Sequence, residues 1–214
     1  MKTILVEARV EDVTPMLLHR ATEEALAGKT RNNNPTEEDD PRDIAGKAVY
    51  RMDDGQLALP GAAFARLLRE AGGAYKSKGS RKSLKYLVPA AVIVMDDLCG
   101  LYLHDRKTPV HDFEVDSRPV TIPATKGRVM RHRARLNEWA ALVTLRINED
   151  VMAEATVRQL LVNGAQQIGL GDFRPEKGGS FGTSSLVRWD VVSEPKRKTG
   201  AQKRNGREVA EAAE

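Results

Sequence analysis

Apolar and polar positions change rhythm several times along the chain, and each rhythm predicts an element. Residues 2–13, KTILVEARVEDV, partly alternate and are rich in β-branched side chains, which predicts a first strand ended by Thr14-Pro15. Residues 16–28, MLLHRATEEALAG, read as a short helix closed by Gly28. Residues 29–47 are polar, contain two prolines and hold almost no large apolar residue. Such a stretch buries too little surface to offset its ordering entropy, so it predicts a mobile loop that orders on binding. Asp54-Gly55 sits between short apolar runs and predicts a hairpin turn. Phe64, Leu67, Leu68 and Ala71 then share one face of a helix over residues 62–71, with Arg66, Arg69 and Glu70 off that face and Gly72-Gly73 as its stop.

The second half continues in the same way. Residues 87–105 read as two strands around Asp96-Asp97. Residues 106–137 have little apolar periodicity, three prolines and many charges, and read as a long excursion. Residues 138–148 form a strong strand pattern. Residues 149–167 form the best helix pattern, with Val151, Ala155, Leu160 and Leu161 on its apolar side, acidic residues at its start and Gly164 marking its end. A glycine-rich stretch, GLGDFRPEKGGSFG (169–182), precedes a last strand over 184–192. From Ser193 onward no core-forming pattern exists; six of the residues from Lys196 to Arg207 are basic, and a disordered basic tail is expected.

With the loops set aside, the order is β–α–β–β–α–β. The strands lie near 2–13, 87–95, 138–148 and 184–192, and the helices near 62–71 and 151–163. This predicts an α+β fold with a ferredoxin-like core in one domain (residues 1–192), carrying insertions at about 17–58 and 106–137. Two helices on one face of an antiparallel sheet leave the other face open to a ligand.

Composition narrows the function classes. The 214 residues carry a net charge of +4, which is compatible with a polyanionic partner without demanding one. A single cysteine, Cys99, excludes an intrachain disulfide and a cysteine metal cluster. The start lacks a signal-peptide pattern and no stretch is apolar enough to span a membrane, so a soluble cytoplasmic protein without a membrane partner is expected.

Placement of the positive charge is more telling than its sum. Lys76, Lys78, Arg81, Lys82 and Lys85 follow the first core helix. Lys126, Arg128, Arg131, Arg133 and Arg135 fall within ten residues of the excursion, around His132; the tail is the third cluster. Cations every second or third residue can track phosphates along a strand, although one such cluster alone is more often a solvated loop. The glycine stretch has more glycines than one tight turn needs. Its backbone N–H groups can approach phosphate oxygens, Arg174 and Lys177 add charge, and Phe173 can stack on a base. No GKS or GKT follows it, which rejects a nucleoside-triphosphate loop. The histidines, His19, His104, His111 and His132, contain no HxxxH pair, and no metal or cofactor is expected. His19 is a candidate general acid or base for RNA cleavage, or simply a half-buried side chain. Asp39, Asp40 and Asp43 could position an ion or a 2′-hydroxyl, or be an acidic solvated loop.

Several pieces together resemble the RAMP superfamily, the repeat-associated mysterious proteins of CRISPR systems. LALPGAAFARLLREAG (57–72) resembles the segment that opens that superfamily's first helix, and LLVNGAQQIGLGDFRPEKGGSFG (160–182) its helix followed by a glycine-rich loop. The similarity spans about residues 1–192, is greatest to backbone subunits that polymerise along guide RNA, and is most specific in the glycine loop. It implies a modified RNA-recognition-motif domain whose sheet, helix start and glycine loop grip RNA. Arg69 falls on the family's helix arginine, and Gly169, Gly171, Gly179 and Gly182 on its loop glycines. Residues 106–137 correspond to a protruding thumb and 29–47 to a mobile insertion. Ala62 and Ala63 depart from the usual serines, LHRA (18–21) stands where many relatives have a glycine-containing LHIG, and no aspartate matches the insertion residue that cuts target RNA in some relatives. The implied function is a non-catalytic subunit that binds single-stranded RNA or DNA and assembles as a homo-oligomer or within a larger ribonucleoprotein. The alternatives are a metal-independent endoribonuclease of the same superfamily, and a phage or mobile-element structural module that uses the fold without nucleic acid.

Overall fold

The computed structural model describes residues 2–21, 40–77, 79, 81–105, 107–121 and 126–192. The expected tail, most of the expected 29–47 loop and most of the expected 16–28 helix lie outside these residues, as does Lys78.

Alternation builds the centre. On β1 (Thr3–Asp12), Val6, Ala8 and Val10 are fully buried, and on β9 (Ala140–Asn148) Ala141, Val143, Leu145 and Ile147 are. The two strands pair antiparallel from Thr3↔Asn148 to Glu11↔Ala140. β10 (Ser184–Val192) pairs with the other edge of β1, with an irregularity between Arg9 and Val10. β5 (Val92–Val94) and β6 (Leu98–Tyr102) both pair with β9. The core strands therefore lie in the order fourth, first, third, second, all antiparallel, consistent with a ferredoxin-like arrangement. β3 (Tyr50–Arg51) and β4 (Leu57–Pro60) extend the sheet beyond β6 as the hairpin expected at Asp54-Gly55, where Gly55 takes φ +84°.

Helices α2 (Gly61–Ala71) and α4 (Glu154–Gln167) pack side by side in the core formed with the sheet. Phe64, Leu67, Leu68 and Ala71 form the buried face of α2, as their spacing predicts. α4 differs from expectation. Val151 and Ala155 are exposed, and Val157, Leu160, Leu161, Gly164 and Ala165 make the buried face. Gly164 does not end the helix; a Cβ there would come within 2.5 Å of the Leu67 side chain, so glycine permits the close α2–α4 approach.

Further expectations are corrected. Met16–Leu18 is a strand, β2, because Met16 and Leu18 pack into the core while β2 pairs with β8 (Arg128–Leu136). Residues 41–47, expected as loop, form helix α1 (Pro41–Lys47), capped by the Asp40 carboxylate on Arg42 N–H at 2.9 Å and anchored by buried Ala45. Between Leu87 and β5 the chain makes one helical turn, α3 (Val88–Ala91), rather than strand. The 106–137 excursion contains a regular hairpin, β7 (Glu114–Thr121) with β8, in a second three-stranded sheet, β2-β8-β7. Its periodicity is weak because on the face of β8 that meets α1 only Ala134 and Leu136 are buried, while Met130 is exposed and His132 half-buried.

Candidate nucleic-acid interface

The second sheet has two unlike faces. α1 packs against β8 and β7, over a core that includes Met16, Leu18, Ala45, Ala134 and Leu136. Alternate positions on β8 place Arg131, Arg133 and Arg135 together on the opposite face, directly across from Arg118, Asp116 and Glu114 of β7.

The glycine loop lies against β2 and this charged face. Asp172 N–H donates to the Leu17 carbonyl at 2.7 Å, and Gly182 N–H to the Pro15 carbonyl at 2.8 Å. Arg133 Nε donates to the Asp172 carboxylate at 2.7 Å, and the Arg118 guanidinium lies 4.8 Å from the Phe181 ring centre. Phe173 is exposed and sits 6.2 Å from Phe181, centre to centre, with φ +49°.

The loop glycines are needed first by the loop itself. A Cβ on Gly179 would fall 1.7 Å from the Phe173 carbonyl oxygen, one on Gly182 1.8 Å from that of Leu170, and one on Gly171 2.5 Å from that of Leu17. Gly169, Gly171 and Gly182 also take positive φ. Most loop N–H groups donate within the loop, to Gly164 and Ile168 at the end of α4, or to Pro15 and Leu17; those of Gly171, Phe173, Arg174 and Ser180 donate no hydrogen bond among the described residues. Arg174 is a loop staple. It donates to the Gly171 carbonyl at 2.7 Å and to Glu176 at 2.8 Å. Lys177 is exposed.

Glu176 links this loop to α2. Its carboxylate also accepts from Arg66 Nη2 at 2.7 Å. Burial pushes the Glu176 carboxyl up, but hydrogen bonds from Arg66 and Arg174 outweigh it and hold the group below the usual glutamate value. Where β2, the start of α2 and the glycine loop meet, a cavity of about 370 Å³ opens, with His19, Arg20, Arg66 and Arg174 among its lining. His19 is exposed at the concave mouth. Surrounding protein pushes its pKa down; Asp172 opposes this, and Arg131 and Arg133 add to it.

The expected basic residues thus divide. Lys126, Arg128 and Arg131 are exposed and have no anionic partner among the described residues. Arg133, only 8% exposed, is committed to Asp172, and Arg135 Nε donates to Asn137. Arg69 and Lys85 both pair with Glu70, whose carboxyl is held low chiefly by the Lys85 hydrogen bond. Lys76, Arg81 and Lys82 are exposed beyond the C-terminal end of α2, about 16 Å along the helix from the glycine-loop end. The structure therefore separates the first basic cluster from the second. It also brings in Arg20 and Arg66, which periodicity alone does not single out. Arg66 lies one turn before Arg69, and it is the residue that reaches the loop.

The open face of the main sheet is not an aromatic platform. Along β1 it carries Glu7, Arg9 and Glu11, and on β10 Arg188 and Asp190. Arg9 is 5% exposed, donating to Glu11 and to the Leu103 carbonyl, and Arg188 pairs with Asp190. Among the described residues no group of His, Cys, Asp or Glu could hold a metal ion, and no helix is long and apolar enough to cross a membrane.

No protein-family profile matches the sequence, and no curated protein matches it. Solved structures do. A chain of a type III-B Cmr-beta complex bound to cognate target RNA is similar over 90% of this chain, with a TM-score of 0.55 and 13% identity. This chain spans 61% of that chain's length. Cmr6 from Pyrococcus furiosus (TM-score 0.46, 8% identity, 87% of this chain and 99% of that one) and a chain of a type IV-B CRISPR complex (0.47, 14%, 98% and 96%) are weaker likenesses. At this identity the likeness is one of fold alone: the chain shares its fold with part of a chain of the type III-B Cmr-beta complex.

Proposed function

We propose that the chain is a non-catalytic subunit that binds single-stranded nucleic acid, RNA in the first instance, and assembles side by side along it in a CRISPR-type ribonucleoprotein. The observation that carries this reading is the placement of exposed cations that have no carboxylate partner among the described residues. Lys126, Arg128 and Arg131 project from the β7–β8 hairpin, and the same sheet leads through β2 to the glycine loop and to Arg20 and Arg66 at the cavity. Lysines and arginines that neutralise phosphates displace the cations condensed on the strand, and this counterion release drives salt-dependent association. The mixed, ion-paired sheet face is a poorer surface for a polyanion than this route, so the grip is assigned to the hairpin, loop and helix start rather than to a stacking sheet.

Purification at high salt, followed by size measurement with and without added single-stranded RNA, tests this. Co-purifying nucleic acid, or a nucleic-acid-dependent increase in size, is expected. A monomer that ignores RNA and single-stranded DNA contradicts it and favours a structural module.

His19 favours a second reading, an endoribonuclease, because it stands at the cavity mouth under the influence of Asp172, Arg131 and Arg133. A neutral imidazole at pH 7 suits a general base. RNA cleavage lost in His19→Ala, with binding retained, would establish it; intact RNA after prolonged incubation with the unaltered protein removes it.

A further inference from the structure

The outer edge of β10 has no strand beside it among the described residues. We infer that this edge pairs antiparallel with β10 of a second copy of the chain, across a twofold axis through Trp189, and that the dimer forms without nucleic acid.

The backbone leaves bonding groups on that edge. Asp12 N–H donates to the Trp139 carbonyl on the β9 side, and Val13 N–H to the Thr183 carbonyl on the β10 side. Peptide groups alternate sides along a strand, so Leu5, Glu7 and Arg9 face β10, and their partners Val192, Asp190 and Arg188 face β1. The N–H and C=O groups of Trp189 and Val191 therefore point outward, where a strand of another chain can take them up.

The side chains suit a pairing better than a bare edge. Edges that stay single are ordinarily blunted by lysine or proline, and Ser184–Val192 contains neither. Val187, Val191 and Val192 are exposed, Val191 at 57%. The register irregularity of β10 falls beside Val187, and from Arg188 to Val192 its pairing with β1 is unbroken.

Charge selects the register. Arg188 and Asp190 flank Trp189 on the open face of the sheet, pair with each other, and keep about half of their side-chain surface exposed. A twofold axis through Trp189 sets Arg188 of each copy opposite Asp190 of the other and brings Val187 alongside Val191. Unlike charges directly opposite one another stabilise a strand pair. Moving the axis by one residue sets Asp190 opposite Asp190, or Arg188 opposite Arg188, and like charges so placed oppose pairing. This contact is isologous and closes after two copies, so it is distinct from side-by-side assembly along a nucleic acid and does not depend on it.

Sedimentation equilibrium of the full chain, freed of nucleic acid by nuclease and checked by its absorbance ratio, tests the inference over a micromolar concentration series. A species of two chains is expected. Arg188→Asp and Asp190→Arg each set like charges opposite one another at two places, and each should weaken the dimer by about tenfold. Mixing the two variants restores unlike pairs at both places and should recover the dimer. A chain that stays monomeric, a dimer indifferent to both substitutions, or a mixture that dissociates as readily as the separate variants would each overturn the inference. If either variant fails to fold, hydrogen exchange on the unaltered protein decides. The Trp189 and Val191 amides are expected to be better protected in concentrated than in dilute solution, and equal protection overturns the pairing.

Discussion

Arg66 on α2 and Glu176 in the glycine loop form an ion pair at 2.7 Å, which ties the middle of the first core helix to a loop more than a hundred residues later in the chain. Both groups keep solvent access, so a double-mutant cycle should give a coupling of about 0.5–1 kcal/mol, not the value of a buried pair. The pH dependence has a defined sign. The folded Glu176 carboxyl titrates below its unfolded value of about 4.3, so its contribution is present above that pH and is lost as pH falls through the lower folded value. Urea denaturation between pH 7 and pH 3 should show a shallower acid limb for Glu176→Gln than for the unaltered protein.

Gly164 tests the helix–helix contact. Alanine at an ordinary helical position gains about 1 kcal/mol over glycine. Here the new methyl would meet Leu67 Cδ2 at 2.5 Å and Ala71 Cβ at 3.2 Å, and overpacking of this kind costs about 1–3 kcal/mol. Gly164→Ala should therefore be net destabilising by about 1 kcal/mol in chemical denaturation, and Leu67→Val in the same chain should recover part of the loss.

Two loop glycines with similar φ should respond differently. Gly178 (φ +74°) has open space around a new Cβ, so Gly178→Ala should cost only the left-handed backbone penalty, about 1–2 kcal/mol. Gly182 (φ +71°) would place a Cβ 1.8 Å from the Leu170 carbonyl oxygen, so Gly182→Ala must also displace backbone and break the Leu170–Gly182 hydrogen bond at 2.8 Å. Its loss of stability should exceed that of Gly178→Ala by at least about 1 kcal/mol, read from denaturation midpoints.

Cys99 provides a probe of opening. Burial first, and Asp96 second, push its thiol up to about 12, so the native side chain is almost wholly protonated at pH 8. Alkylation by iodoacetamide at pH 8 should be far slower in the folded protein than in urea, with the native rate following the population of open molecules.

Much of the core was legible because its signals are local. Val6, Ala8 and Val10 alternate, and Phe64, Leu67, Leu68 and Ala71 repeat at helical spacing, so element order and the antiparallel core follow from pattern. Other features depend on partners remote in sequence. Met16 and Leu18 belong to a strand because β8 lies beside them, although MLLHRATEEALAG has the composition of a helix. Gly164 has the signature of a helix end but serves a contact with Leu67 that only packing shows. The site was legible in part. The glycine loop and the basic β8 stand out in sequence, whereas the commitment of Arg133 to Asp172, and of Arg174 to Gly171 and Glu176, depends on tertiary geometry. Arginines that look alike in sequence thus divide into exposed cations and loop staples. Arg174→Ala is consequently a poor probe of binding, since it would loosen the loop that it fastens.

The most direct measurement compares the salt dependence of single-stranded RNA affinity for the unaltered chain and for a variant with Lys126, Arg128 and Arg131 all changed to alanine. The account predicts a linear fall of log affinity with log salt. The variant should lower the magnitude of that slope by about two, from roughly 0.7 per phosphate contact, while leaving the denaturation midpoint unchanged. An unaltered chain that binds no single strand, or a folded variant with the same slope and affinity, would contradict the assignment of this surface to nucleic acid.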